Sequence, residues 1–180
     1  EREQITRHAV AVANGRCQVL AGTCSYSTSE TIAATIAAEK MGVDGALIVA
    51  PYYNKPSQEG LFRHFRAIAQ ATALPIMLYN IPGRCGIDIN ASTVERLALD
   101  CGNIVAIKEA SGSVERVSDL AVRMPEAFKI LSGDDGLTLP FLAAGPGCAV
   151  RRGLNLLCGV VGPWGGGVWC GGRGLGGQGA

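Results

Sequence analysis

The chain of 180 residues carries 16 basic and 15 acidic side chains and is 48% hydrophobic. Its net charge of +1 provides no strong field for a nucleic acid or for an anionic membrane surface, so neither partner is expected. The chain has no run of 18 or more apolar residues, and no segment is therefore predicted to span a bilayer.

Five apolar runs with regular spacing are the predicted strands. They cover residues 17–21, 45–50, 76–80, 104–108 and 128–132. Their ends are 29, 29, 29 and 24 residues apart, which is the length of a strand with its crossover helix. The run Gly45–Ala50 is continuously apolar, as expected for a parallel strand that is buried on both faces.

Helix signals lie between these strands. One helix ends at Ala13 before Asn14-Gly15, and a helix is also predicted over Val114–Arg123. The predicted start signals are the capping box Ser27–Glu30, the cap Ser57, the capping box Ser92–Glu95, and Asp134 or Asp135 as the cap of a helix that ends at Gly145. Pro140 would kink or break that last helix.

Alternating strands and helices predict an α/β fold with a parallel sheet. A doubly wound nucleotide-binding sheet would favour a G-x-G-x-x-G turn after its first strand, and the sequence has none. The even spacing favours a partial (β/α)8 TIM barrel of about five βα units, because eight such units fill a chain of roughly 230 residues. Residues 1–145 are therefore predicted to be the central part of a TIM barrel.

Residues 146–180 differ in composition from the rest of the chain. They hold 13 of the 25 glycines and both tryptophans but no Asp, Glu or Lys. They show neither a strand nor a helix period, and ordering so many glycines costs conformational entropy. One interpretation is a disordered glycine-rich tail. The other is a non-native stretch, such as a GC-rich gene produces when it is read out of frame.

Two residues at neighbouring strand ends are the strongest catalytic candidates. Lys108 ends an apolar strand, where desolvation disfavours the ammonium and frees an amine to attack a carbonyl group. Tyr79 ends the preceding strand, and its phenol can relay protons. The structural alternatives are a lysine that reaches water or pairs with Glu109, and a core tyrosine with a bonded hydroxyl.

Other candidates follow the same strands. Arg84 suits bidentate binding of a carboxylate, and the adjacent aromatics Tyr52 and Tyr53 suit an interface. The pair Asp134-Asp135 is better explained as a helix cap than as paired catalytic acids. Seven cysteines without a C-x-x-C pair, and two distant histidines, predict reduced thiols in the cytoplasm and no metal site.

Four segments, taken together, resemble the dihydrodipicolinate synthase family. They are Ala50–Leu61, Leu78–Arg84, Ala106–Gly112 and Leu131–Asp135. The resemblance implies a lyase that forms a Schiff base between a lysine and pyruvate and condenses it with aspartate semialdehyde. The product, 4-hydroxy-tetrahydrodipicolinate, leads to diaminopimelate and lysine, and the resemblance implies no metal and no organic cofactor.

The resemblance also implies a role for each matching residue. Lys108 would be the imine lysine, Tyr79 the proton relay and Arg84 the group that binds the semialdehyde carboxylate. Tyr53 would cross a dimer interface and complete the relay of a neighbour. Self-association through the Tyr52-Tyr53 loop, as a dimer or a homotetramer, is therefore expected.

The chain departs from the family pattern at several positions. Tyr52 and Glu30 match residues of the allosteric site in lysine-inhibited members, but Tyr26 stands where those members have Asn. Cys85 follows Arg84 where the family usually has Thr, and Cys24 replaces a usual Gly. The threonine loop that binds the pyruvate carboxylate would precede residue 1. Without it, these 180 residues alone are expected to show no turnover.

Two alternatives to the synthase remain open at this point. Related pyruvate aldolases, such as N-acetylneuraminate lyase and the keto-deoxy sugar-acid aldolases, share the lysine and the tyrosine, whereas the setting of Arg84 favours the synthase. The other alternative is a truncated or frame-shifted homologue without catalytic activity.

Overall fold

The computed structural model describes residues 1–144 and the short strand at residues 148–149. Its elements, in chain order, are α1 (Arg2–Ala13), β1 (Leu20–Gly22), α2 (Thr28–Lys40), β2 (Gly45–Val49), α3 (Gln58–Gln70), β3 (Ile76–Asn80), α4 (Pro82–Cys85), α5 (Ala91–Asp100), β4 (Ile104–Glu109), α6 (Val114–Arg123), β5 (Lys129–Ser132), α7 (Thr138–Ala143) and β6 (Cys148–Ala149). None of the helices in this part of the chain is long and apolar enough to cross a bilayer.

The six strands form one sheet in which every neighbouring pair is parallel and the spatial order equals the chain order. The five predicted strands are therefore confirmed, including their parallel pairing. An open doubly wound sheet reverses its strand order at a switch point, and this sheet does not. Strand β6 lies beyond residue 145, where the barrel part was predicted to end, and the remainder of the predicted tail lies outside the described residues.

The two faces of the sheet pack differently. The larger core lies between the sheet and the helices, and it includes the fully buried side chains of Ile48, Leu78 and Ile107. The opposite face carries a small apolar cluster of Met77, Ala106 and Leu131. Since successive side chains of a strand alternate between faces, this second face corresponds to the interior of a barrel.

Side-chain hydrogen bonds cap three of the seven described helices, α2, α3 and α6. The Ser27 hydroxyl accepts a hydrogen bond from the Glu30 amide and the Ser57 hydroxyl accepts one from the Gly60 amide, so both predicted caps are confirmed. Helix α1 ends at Ala13 as predicted, because Asn14 adopts the left-handed conformation (φ 44°).

The second predicted capping box is wrong. Helix α5 begins at Ala91 with Asn90 at its N-cap, which places Ser92 inside the helix. The Asn90 carbonyl accepts from the Thr93 and Val94 amides (2.9 and 3.1 Å). The side-chain oxygen of Gln58 on α3 accepts from the Asn90 amide (3.0 Å) and the Thr93 hydroxyl (2.7 Å), and this tertiary contact holds the first turn of α5 in place.

The prediction for α7 is also wrong in detail. Neither Asp134 nor Asp135 caps this helix, because its N-cap position is Leu137. The Asp134 carboxylate instead accepts from the Gly136 amide (2.9 Å) in a local turn. Pro140 lies in the first turn of α7, where a missing amide proton removes no helical hydrogen bond, and so the predicted kink is absent.

A buried histidine joins α2 to α3. His64 is 5% exposed, and its Nδ1 lies 2.8 Å from the Thr28 hydroxyl. Its Nε2 is buried without a hydrogen-bond partner among the described residues. Burial lowers the pKa of His64 from 6.5 to about 4, because the charged ring would lose its hydration.

This histidine makes a defined contribution to the pH dependence of stability. The unfolded chain takes up the proton near pH 6.5 and the folded chain only near pH 4, so stability is expected to fall as the pH drops through this interval. The loss should approach about 2 kcal/mol at pH ~5 and should be absent at pH ~7.5. Urea unfolding of the wild type and of His64→Gln at both pH values measures the difference.

His8→Gln is the matched control for this measurement, because His8 is exposed on α1. It should follow the wild type at both pH values. If His64→Gln also follows the wild type at low pH, the neutral state of the buried ring makes no contribution and the prediction is wrong.

Candidate functional site

Lys108 and Tyr79 meet at the carboxyl ends of β4 and β3. The two residues are partners in the parallel register of these strands, and both side chains are half-buried. Lys108 Nζ lies 4.3 Å from the centroid of the Tyr79 ring. The geometry therefore brings the two principal candidates together, and the ring face holds the amine by a cation–π contact.

The pair stands above the apolar cluster on the interior face. Met77 precedes Tyr79 by two residues and Ala106 precedes Lys108 by two residues, which places all four on one face. Leu131 of β5 pairs with Lys108 and belongs to the same cluster. The two polar side chains therefore stand at the carboxyl-end edge of an apolar surface.

Glu109, next to Lys108 in sequence, points to the helix layer. Its side chain is fully buried and is paired in register with Asn80, whose Nδ2 donates to the Glu109 carboxylate (3.0 and 3.2 Å). Arg116 Nε of α6 lies 2.8 Å from the carboxylate, and the Ser111 amide donates to it (2.8 Å). Both oxygens of the Glu109 carboxylate therefore accept hydrogen bonds, on the face of the sheet opposite to Lys108.

The same network continues into the segment between α4 and α5. Asn80 Nδ2 also donates to Asp88 (2.7 Å), and Asn80 Oδ1 accepts from the Ile89 amide (3.1 Å). Arg116 lies 3.6 Å from the Asp88 carboxylate and donates to the Ile89 carbonyl. These bonds fix the ends of β3 and β4 against α6, immediately behind Tyr79 and Lys108.

Sequence reasoning missed Arg116. Strand alternation offers a signal, because an interior Lys108 forces Glu109 toward the buried helix layer, and a buried carboxylate requires a cationic partner. Nothing in the spacing selects Arg116 among the nine arginines of residues 1–145. Its position in the first turn of α6 became evident only from the fold.

Arg84 lies on the short helix α4, in the loop that follows Tyr79. Pro82 begins this helix, and Gly86, with φ 68°, ends it. The Arg84 side chain is exposed and makes no ion pair with another residue in the described part of the chain. It is on the same side of the sheet edge as Lys108, and its guanidinium is available to a ligand carboxylate.

The loop after β2 presents the predicted aromatic residues. Tyr53 is 90% exposed and, like Lys55, has a positive φ (71° and 45°). Such conformations cost of order 1–3 kcal/mol in residues other than glycine and are concentrated at functional loops. Tyr52 is partly covered by Tyr26, with ring centroids 5.9 Å apart in an edge-to-face arrangement.

Glu30 and Tyr26, which the predicted allosteric site concerns, are close in the chain. Glu30 accepts a hydrogen bond from the Ser25 hydroxyl (2.6 Å) at the start of α2. Tyr26 precedes α2 in the same loop and contacts Tyr52 as described above. The assignment of Tyr52 and Glu30 to an inhibitor site stays a prediction.

The described cysteines behave as buried or surface thiols. Burial raises the pKa of Cys85, with a smaller contribution from nearby Cys24, and burial also raises the pKa of Cys101. Raised values keep both thiols protonated, so neither is an activated nucleophile. No group of three or more His, Cys, Asp and Glu residues in the described ranges is arranged to hold a metal ion.

Known proteins of similar sequence belong to one family. The family model described as dihydrodipicolinate synthetase matches residues 1–159. The chain belongs to the dihydrodipicolinate synthetase family. A relative named 4-hydroxy-tetrahydrodipicolinate synthase, from Desulforamulus reducens, is 57% identical over 145 residues, which are 81% of this chain and 49% of the relative.

Solved structures of the family show the same fold. The 4-hydroxy-tetrahydrodipicolinate synthase of Methylacidiphilum fumariolicum SolV has a TM-score of 0.86 and 55% identity, over 89% of this chain and 54% of that one. The chloride-inhibited dihydrodipicolinate synthase of Acinetobacter baumannii, complexed with pyruvate, has a TM-score of 0.84 and 40% identity, over 89% and 57%. The predicted α/β architecture, part of a TIM barrel, is confirmed.

The matched region is only part of each relative. The chain spans about half the length of the curated relatives that it matches, from 49% to 54%. The matched part includes Lys108, Tyr79 and the loop with Arg84, on which the resemblance to the family rests.

Proposed function

We propose that Lys108 forms a Schiff base with pyruvate and that the protein condenses this adduct with aspartate semialdehyde to 4-hydroxy-tetrahydrodipicolinate. The observation that carries the proposal is the position of Lys108 Nζ, 4.3 Å from the Tyr79 ring at the open end of the strands. Relatives that share 57% of the matched residues are named for this activity, and one similar structure contains pyruvate.

The chemistry follows from a primary amine beside a phenol. The neutral amine attacks the ketone carbon of pyruvate, and loss of water leaves an imine. Loss of a methyl proton converts the imine to an enamine, whose carbon attacks the aldehyde. Each of these steps moves a proton, and Tyr79 is the proposed relay because its phenol ring contacts the amine.

Arg84 and Tyr53 complete the proposal. The exposed guanidinium of Arg84 would bind the semialdehyde carboxylate by two parallel hydrogen bonds and so orient the aldehyde toward Lys108. Tyr53 would insert into a second copy of the chain, and its 90% exposure in a strained loop supports an interface there. We propose a dimer or a homotetramer through the Tyr52-Tyr53 loop on this basis.

We also propose that the protein acts in the cytoplasm. The support is chemical, because the four cysteines of the described region are free thiols, as is usual in a reducing compartment.

The Schiff base can be tested by reductive trapping. Incubation of the complete gene product with pyruvate and sodium borohydride should add one pyruvate-derived group, since reduction converts the imine to a stable secondary amine. Peptide mapping by mass spectrometry should place that group on Lys108. The chain has four lysines, so the other three serve as internal controls.

Labelling of Lys55 in place of Lys108 would contradict the assignment, because Lys55, in the loop that follows β2, is the other lysine at this end of the sheet. Labelling that also occurs without pyruvate, or with acetate in its place, would show that the modification does not proceed through a carbonyl group.

A further inference from the structure

Gly133 lies directly behind the proposed imine lysine. It follows the last residue of β5, and its amide donates to the Glu109 carbonyl (2.7 Å), which extends the pairing of β4 with β5 by one residue. Gly133 is not among the glycines with a positive φ. Its backbone conformation is therefore open to any residue, and the reason for a glycine must be the space around it.

The space beside Gly133 is occupied by the aliphatic chain of Lys108 and by the end of β4 that follows it. A Cβ atom on Gly133 would lie 2.7 Å from Ala110 Cβ, 3.2 Å from the Glu109 carbonyl oxygen and 3.3 Å from Lys108 Cε. The first distance is too short for two carbon atoms, and the other two are below ordinary van der Waals contact. Any side chain at this position therefore displaces the end of β4 or the Lys108 side chain.

We infer that Gly133 is a positioning residue for Lys108: its missing side chain leaves the space in which the ε-carbon rests while Nζ lies against Tyr79. The inference deepens the proposed function, because it concerns the same amine. A Cβ at this position would press on the ε-carbon and so shift Nζ relative to the Tyr79 ring. A displacement of about 1 Å at a reacting group can reduce a rate by about a hundredfold.

Three variants separate positioning from simple packing. Gly133→Ala introduces all three close contacts. The double variant Ala110→Gly with Gly133→Ala removes the 2.7 Å contact and keeps those with the Glu109 carbonyl and the lysine. Gly136→Ala is the matched control, because among the described residues its Cβ would meet only the Asp134 carboxylate, at an ordinary 3.5 Å, in the same loop.

The position of the amine is read out in two ways on the complete gene product. Competitive labelling with trace acetic anhydride reports the reactivity of Lys108 without any substrate, with Lys129 as the internal reference. Borohydride trapping with saturating pyruvate reports the rate of imine formation. Thermal unfolding of each variant measures the structural cost separately.

We expect Gly133→Ala to change Lys108 labelling severalfold and to slow trapping by about tenfold to a hundredfold. The double variant should regain part of the lost thermal stability and retain a trapping defect, whereas Gly136→Ala should match the wild type. Recovery of both stability and trapping in the double variant would overturn the inference, and so would wild-type labelling of Lys108 in both Gly133 variants. If pyruvate and borohydride do not modify the wild type, the proposed function is wrong. The inference about Gly133 is still tested in that case, because acetic anhydride labelling reports the position of Lys108 without pyruvate.

Discussion

Lys108→Arg is expected to abolish condensation, with kcat lowered by about 10⁴-fold or more, as is typical when a covalent nucleophile is removed. Arginine keeps the positive charge and a similar length, but its guanidinium stays protonated and cannot attack a carbonyl carbon. The contact with the Tyr79 ring face can persist, since arginine also forms cation–π interactions. A coupled assay of the complete gene product with pyruvate and aspartate semialdehyde measures the loss.

Lys129→Arg is the matched control. Lys129 begins β5, is paired in register with Ala106 and is exposed, so the same substitution occurs on an adjacent strand but away from the carboxyl end. It should retain activity within about twofold, as is usual for surface changes remote from a site. Activity of Lys108→Arg within tenfold of the wild type would eliminate the Schiff-base mechanism for this protein.

Arg116→Met is expected to lower the free energy of unfolding by about 3–5 kcal/mol, because it leaves a buried carboxylate without its cation. Glu109 is fully buried, and the Arg116 side chain beside it is only 13% exposed. Methionine keeps much of the aliphatic bulk of the stem, so the loss reports the charge and its hydrogen bonds rather than a cavity. Urea unfolding monitored by circular dichroism measures the change.

Arg123→Met on the same helix is the control for this prediction. Arg123 also makes two ion pairs, with Asp119 (2.7 Å) and Glu95 (3.1 Å), but its side chain is 41% exposed. Exposed pairs contribute about 0–1 kcal/mol, so this variant should be close to the wild type. Adding Glu109→Gln to Arg116→Met should recover much of the loss. Equal effects of the two arginine substitutions would contradict the buried-charge explanation.

Strand positions were predictable because local chemistry and tertiary packing favour the same structure there. The runs at residues 76–80 and 104–108 are apolar on both faces, a pattern expected of a parallel strand that lies between two apolar layers. Both strands occur at the predicted positions. Helix α6 also has its predicted bounds, since Ser113 caps it and Pro125 follows its end. At these sites the sequence alone determined the element.

Boundaries that depend on a distant partner were not predictable. Strand β1 begins at Leu20 rather than Cys17, because the amide of Val19 is bound by the Asp44 carboxylate (2.7 Å) and Leu20 is the first residue opposite β2. Helix α2 buries Thr31 and Thr35, which no apolar pattern selects, because each hydroxyl donates to the carbonyl four residues earlier and the Thr35 hydroxyl also lies 2.8 Å from that of Thr23. The contacts of Val19 with Asp44 and of Thr35 with Thr23 join separate elements and leave no periodic signal in the chain.

The candidate site also combines features that the sequence predicted with features that only the tertiary structure decided. Lys108, Tyr79 and Arg84 were found from the sequence because each is a polar residue at the end of, or just after, an apolar strand, and parallel strands bring their carboxyl ends to one edge. The contact between Lys108 and the Tyr79 ring, the pairing of Glu109 with Arg116 and the space left by Gly133 were decided by the tertiary structure. Side-chain alternation determines which face a residue occupies, whereas the packing of β4 against β5 and α6 determines which atoms touch there.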